Sequence, residues 1–175
     1  MIVRDAGRID FPEDVPFLMD PGIFTPGNIK IASADIWRGL TACAKAEPKR
    51  EDLPGPRLMR QVIARYRPGK EEDLTSIDYL IGFEGSMVVC EAIRITLDRV
   101  GYENLTSAAV LESMKTIKDF DTGGLGGLIS FADYSGDRCG AETFRMWAWD
   151  TKAENIEILT DWFKGITPLY LGYLE

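Results

Sequence analysis

Ile117-Lys118-Asp119-Phe120-Asp121-Thr122-Gly123-Gly124-Leu125-Gly126-Gly127-Leu128-Ile129-Ser130-Phe131 is the stretch on which the fold turns. Its glycines allow backbone conformations closed to other residues, and such clusters can bring backbone N–H groups close to an anion. A phosphate loop, however, leads from a strand into a helix N-terminus and in its P-loop form ends in Gly-Lys-Ser/Thr. Here a strand-like apolar segment follows, no lysine closes the loop, and Ile129 stands where a dinucleotide fingerprint would place a glycine after Gly124 and Gly126. The glycines read as turn chemistry. Asp119 and Asp121 flank Phe120 in a DxD pattern, but hard cations want several oxygens and the same residues punctuate helix-to-turn transitions. No metal is expected there. Asp133 and Asp137 lack the spacing and the glutamate of an EF-hand loop.

Upstream of this turn, Thr106 is a good N-cap for a helix running to Ile117. The longest regular element starts after Thr75 or Ser76 and continues to Val100, with Gly101 as its stop signal. Its apolar residues, among them Ile77, Leu80, Ile81, Phe83, Val88, Cys90 and Leu97, cover most of the circumference, which predicts a mostly buried helix with Cys90 in the core. The stripe Glu84, Glu91, Arg94 and Asp98 would form its thin solvent edge. Arg57 to Tyr66 has a helical period stopped by Arg67-Pro68-Gly69, whereas Ala44 to Pro56, charged and with three prolines, reads as surface loop. The first residues, Ile2 to Ile9, read as a helix end. Val15–Met19 and Asn28–Ser33 read as strands. Downstream, Leu128–Phe131, Thr143–Trp149 and Asn155–Thr160 are strand-like, with turns at Asp133–Gly136 and near Asp150–Glu154. Helices and strands intermix, so the class is α/β with antiparallel pairing near the C-terminus.

With 175 residues, 45% hydrophobic and 27% charged, the chain has the composition of a globular domain. It contains no histidine, which excludes Ser-His-Asp and Cys-His nucleophilic sites, His-ligated metals and a histidine pH switch. A net charge of -8 and the lack of a basic run argue against a nucleic-acid partner. Cys43, Cys90 and Cys139 show no CxxC spacing; a Cys43–Cys139 disulfide stays open. Met1 to Arg8 carries no apolar run of the export-signal type, and no window approaches the ~18 apolar residues of a membrane span.

Two groups of residues suit a small zwitterionic ligand. Asp35 and Trp37, with Arg38, follow the end of an expected parallel strand, where open α/β sheets hold ligands, though Trp37 could equally cap the core. Tyr79, Gly82, Phe83 and Glu84, with Gly85, form the first turns of the long helix. Small residues there allow close approach, an aromatic covers a ligand and a carboxylate binds an ammonium group. Against this, Glu84 shares a stripe with Glu91 and Asp98, which reads as plain surface.

The segment 117–131 resembles the "FDTGGLxGPISF" signature of branched-chain amino-acid-type periplasmic binding proteins, the type I solute-binding components of ABC transporters. Asp137-Arg138-Cys139-Gly140 resembles the family's "HRG" turn without its histidine, and Thr160-Asp161-Trp162-Phe163 its "TDWF". Tyr79 to Ile93 is similar to the family's long helix, with Glu91-Ala92-Ile93 intact, and Arg65 to Lys70 to the "YxxxxGK" end of the preceding helix. The resemblance spans nearly all of this chain but only about the C-terminal half of a family chain.

The resemblance implies a partial type I periplasmic-binding-protein-like fold, a three-layer α/β/α arrangement read as a single module. Residues 1–75 would match part of the second lobe, 76–141 part of the first, and 142–175 returning strands and tail. It implies a non-catalytic solute-binding component, or fragment, of an ABC transporter for branched-chain amino acids or related small carboxylate solutes, with no cofactor. The serines and threonines that hold the amino-acid carboxylate in the family come from its first half. Asp35, Trp37, Tyr79 and Phe83 are what carries over as the opposing part of the cleft, and with Gly82 and Glu84 from the helix's first turns they make up the expected ligand-binding residues. A permease would be the partner of the full-length form, and the location periplasmic or extracellular; without an export signal in the sequence, cytoplasmic stays open. Apolar surface left uncovered by a half-fold suggests an alternative, a homodimeric interaction or ligand-sensing module.

Overall fold

The computed structural model describes residues 5, 8–9, 11–12, 15, 17–18, 39–43, 50, 52–70, 77–132, 140–141, 143–150 and 155–164. In chain order the elements are β1 (Phe17–Leu18), β2 (Gly39–Cys43), α1 (Pro54–Tyr66), α2 (Ile77–Val100), a 3-10 turn (Tyr102–Asn104), α3 (Ser107–Met114), β3 (Ile129–Ser130), β4 (Gly140–Ala141), β5 (Thr143–Asp150), β6 (Asn155–Ile158) and β7 (Phe163–Lys164). One sheet has the order β1-β2-β5-β6 with β7 also paired to β5, and β3 pairs with β4 apart from it. β1 and β2 are parallel; β5 runs antiparallel to β2, β6 and β7. The mixed α/β class expected from the sequence is the class observed.

Several elements begin or end for identifiable reasons. α1 starts at Pro54, inside the stretch expected to be loop, because a proline fixes φ near its helical value and its missing N–H is not needed in the first turn. Gly101, at φ 75°, ends α2, and its N–H donates to the Leu97 carbonyl at 3.0 Å. The Thr106 hydroxyl accepts from the Ala109 N–H at 3.2 Å and caps α3. α3 stops at Met114, three residues short of the expected Ile117, because Ile117 is used elsewhere: its carbonyl accepts from the N–H groups of Phe131 and Ala132. β2 occupies Gly39–Cys43, a stretch to which the sequence assigned no element. It is held on both sides, Leu40 lying opposite Leu18 on β1 and Ala148 on β5, and a strand so placed need not show polar alternation. The expected strand Asn28–Ser33, the turn at Asp133–Gly136, residues 151–154 of the turn expected near Asp150–Glu154, and Cys139 of the Cys43–Cys139 pair left open lie outside the described residues.

α2 is not mostly buried. Ile77, Leu80, Glu84, Val88, Ala92 and Thr96 are its buried residues, a single stripe at three- and four-residue spacing. Ile81, Val89 and Leu97 are exposed, as is Cys90, which the sequence places in the core. The apolar circumference of this helix exceeds what the described residues cover. Thr96 lies at the α2–α3 contact, where its hydroxyl donates to the Ala92 carbonyl at 2.7 Å and lies 2.8 Å from the Ser113 hydroxyl.

The glycine-rich stretch folds back on itself. Phe120 and Ile129 exchange both backbone hydrogen bonds, at 2.9 and 3.0 Å. Between them Gly123 and Gly124 take φ 75° and 80°, and the Asp121 carboxylate accepts from both of their N–H groups. The turn is thus closed by its own aspartate, and Asp119 accepts from the Ser130 hydroxyl at 3.1 Å. Its residues enter two apolar clusters, Met59, Ile63, Leu80 and Leu125, and Val88, Ala92, Ile117 and Ile129; a third pairs Ile77 with Trp147.

The turn meets α1 through backbone contact. The Gly55 N–H donates to the Gly123 carbonyl at 2.8 Å, and a Cβ on Gly55 would collide with the Thr122 carbonyl oxygen. Gly55→Ala is therefore expected to cost about 1–3 kcal/mol, as overpacking of a closed contact does, measured as a lowered urea midpoint with unchanged m-value. A Gly69→Ala control meets no neighbouring atom and pays only for its left-handed backbone.

Candidate functional site

The first two turns of α2 hold four of the six sequence-derived ligand residues, and the helix distributes them over different faces. Tyr79 and Phe83, one turn apart, share a face; their rings stack with centroids 6.4 Å apart and planes 20° from parallel. Both pack, with Met87, against the Met59, Ile63, Leu80 and Leu125 cluster while staying partly open. The Arg67 guanidinium carbon lies 5.6 Å from the Tyr79 ring centroid, within cation–π range. The residue read from sequence only as the end of α1 thus joins this face. Nothing in the local sequence marked it, since it depends on how α1 and α2 pack.

Gly82 points elsewhere. It is exposed, and a Cβ there would meet nothing within 4 Å, as at Gly85. Its carbonyl accepts from the Ser86 hydroxyl at 2.8 Å. The structure therefore leaves open space at Gly82, three residues after Tyr79 on the same helix. Asp35 and Trp37 lie outside the described residues.

Glu84 reverses the surface reading. Its relative exposure is 3%, and its Oε1 accepts from the Thr122 hydroxyl at 3.4 Å, Thr122 itself being fully buried. The remainder of the expected charged stripe behaves as the sequence predicts: Arg94 donates to both oxygens of Glu91 and to Asp98 at the surface. The Arg94 hydrogen bonds hold the Glu91 carboxyl below its usual range. The stripe breaks at Glu84 because the helix's buried face shifts around its circumference along its length, and at Glu84 that face meets the glycine-rich turn. A carboxylate buried this far is retained at a cost that only hydrogen-bond donors or a cation can offset.

Together these residues offer a stacked aromatic wall with a guanidinium edge and, next in sequence to Phe83, a buried carboxyl that accepts from Thr122. That is chemistry for holding an apolar or planar body and an ammonium group. Among the described residues no group of three acidic or cysteine side chains is placed to hold a metal ion, and no helix is long and apolar enough to cross a membrane.

No family model matches the chain, and no curated protein matches it. Among solved structures, the chain is similar to a branched-chain amino acid ABC transporter protein from Thermus thermophilus with bound valine, at 22% identity and TM-score 0.75, covering 98% of this chain and 44% of that one. A substrate-binding periplasmic protein from Ralstonia solanacearum matches at 22% identity and TM-score 0.69, over 90% of this chain and 41% of that one. A leucine binding protein from Thermotoga maritima matches at 18% identity and TM-score 0.62, over 91% and 40%. The chain has the fold of part of a type I periplasmic binding protein, and spans less than half the length of the structures it matches.

Thr122→Val keeps the shape of Thr122 and removes the donor to Glu84. It is expected to destabilise the chain by about 1–3 kcal/mol, the range for leaving a buried polar group short of a partner, as read from chemical denaturation. A change below about 0.5 kcal/mol would show that the Glu84–Thr122 contact does not hold the turn.

Proposed function

We propose that the chain is part of a non-catalytic solute-binding protein serving an ABC transporter, and that the solute is a branched-chain amino acid or a related small carboxylate. The observation that supports this most is the shared fold over nearly the whole chain with binding proteins of amino-acid transporters, one of them with bound valine. In this reading the Tyr79 and Phe83 rings cover the apolar side chain of the solute, and Glu84 takes its ammonium group in exchange for the Thr122 hydroxyl. Gly82 leaves room on the helix for the approach of a second wall, and Asp35 and Trp37 belong to the same cleft. Residues 1–75 then serve the second lobe, 76–141 the first, and 142–175 return between them. Capture proceeds by lobe closure, a shift from open to closed states driven by contacts made only when closed. Such a protein works in the periplasm or outside the cell, with a permease as partner.

Isothermal titration of the 175-residue chain with valine, leucine, isoleucine and aromatic acids tests this. Saturable heat is expected for at least one, weakened about tenfold or more by Phe83→Ala and by Glu84→Gln. Absence of heat across the panel would rule out solute binding by this chain on its own.

A second reading, a homodimeric interaction module, is favoured by Ile81 and Val89, 43% and 44% exposed on α2. Multi-angle light scattering would then give twice the chain mass, falling to the monomer mass with Val89→Glu. A stable monomer at micromolar concentration sinks this reading.

A further inference from the structure

α2 is apolar on two sides. Its buried residues meet α1, α3 and the glycine-rich turn. Away from them Gly82, Ser86, Val89, Ile93 and Leu97 follow one another at spacings of four, three, four and four residues, a second stripe along about 22 Å of helix. Val89 is 44% and Leu97 37% exposed; Gly82 and Ser86 are exposed and Ile93 is half-buried. The charged residues of α2, Asp78, Glu84, Glu91, Arg94, Asp98 and Arg99, all fall off this stripe. Its one polar side chain, Ser86, already donates to the Gly82 carbonyl at 2.8 Å. An exposed helix face with neither charge nor unmet polar demand over four turns suits a protein contact better than it suits water.

The order of sizes along the stripe decides the partner. Small residues, Gly82 and Ser86, stand toward its N-terminal end, and large ones, Ile93 and Leu97, toward its C-terminal end. An antiparallel pair of α2 helices with its two-fold axis between Val89 and Cys90 sets Gly82 opposite Leu97 of the second copy and Ser86 opposite Ile93, and symmetry repeats both contacts. Small against large lets two helices interdigitate, and at Gly82 the room is present, since a Cβ there would meet nothing within 4 Å in the chain itself. The ends match in charge. Asp78, in the first turn of one copy, comes level with the last turn of the other, where Arg99 lies on the same flank. Arg99 is exposed, with one nitrogen donating to the Ala109 carbonyl at 2.8 Å. A parallel pair would instead set Gly82 on Gly82, leaving a gap, and Asp78 on Asp78, like charge against like.

We propose that this stripe of α2 is a self-docking surface and that its occupant is α2 of a second copy of this chain, packed antiparallel. The inference rests on the homodimer reading above and gives that dimer its site and its orientation. Val89 and Cys90 then lie at the two-fold axis, and Cys90, exposed in the single chain, comes to face Cys90 of the second copy.

Sedimentation velocity, and mild copper-phenanthroline oxidation followed by peptide mass mapping, test this on the 175-residue chain. A dimer is expected, with Cys90 joined to Cys90 as the main disulfide between copies. Gly82→Leu, which sets leucine against leucine, should weaken dimerisation about tenfold or more while leaving the urea midpoint of the diluted chain unchanged, and Leu97→Ala added to it should restore the dimer. The α2 assignment is overturned, with the homodimer left standing, if the dimer keeps its strength in Gly82→Leu, if Leu97→Ala fails to restore it, or if Cys90 of one copy does not join Cys90 of the other. A chain that stays monomeric at every attainable concentration overturns both and leaves the stripe to a partner other than this chain.

Discussion

The contact between the glycine-rich turn and the two helices beside it is the constraint on which the described structure rests. The turn reaches α1 through the Gly55 N–H and Gly123 carbonyl and reaches α2 through Thr122 and Glu84, while its Leu125 enters the cluster with Met59, Ile63 and Leu80. Each contact needs a particular residue. A side chain at 55 has no room, Gly123 and Gly124 occupy positive φ, and Asp121 supplies the acceptor that closes the turn from within. The backbone on either side is then held as a pair, Phe120 against Ile129, which carries β3 away toward β4.

The same contact explains why Glu84 differs from the other acids of α2. Glu91 and Asp98 satisfy themselves on Arg94 at the surface, in a geometry any exposed helix can supply. Glu84 faces the turn and cannot reach water, so its carboxylate belongs to the tertiary structure. Tyr79 and Phe83, on the neighbouring face, keep part of their rings open beside Arg67. One helix thus presents a partly open aromatic face and a buried acidic side chain within two turns.

Much of the fold was legible in the chain. The start and end of α2, the Thr106 cap, the turn chemistry of Gly123 and Gly124, and strands at Thr143–Asp150 and Asn155–Ile158 all follow from local signals whose causes are local: caps, positive φ and alternation. The site was legible only in part. Tyr79 and Phe83 meet because the helical period places them one turn apart, but Arg67 joins them through the packing of α1 on α2. Gly82 lies exposed, with open space where a Cβ would stand.

Sequence alone determined the bounds of α2 and the start of α3, because capping, glycine conformations and side-chain periodicity act over a few residues. It also determined the likeness to one half of a two-lobed binding protein, because that likeness lies in the order of short motifs. Only the tertiary structure decided which face of each helix is buried. The apolar surface of α2 is wide enough to be buried in more than one orientation, and α1 and the glycine-rich turn select one of them. That selection exposed Cys90 and Ile81 and buried Glu84.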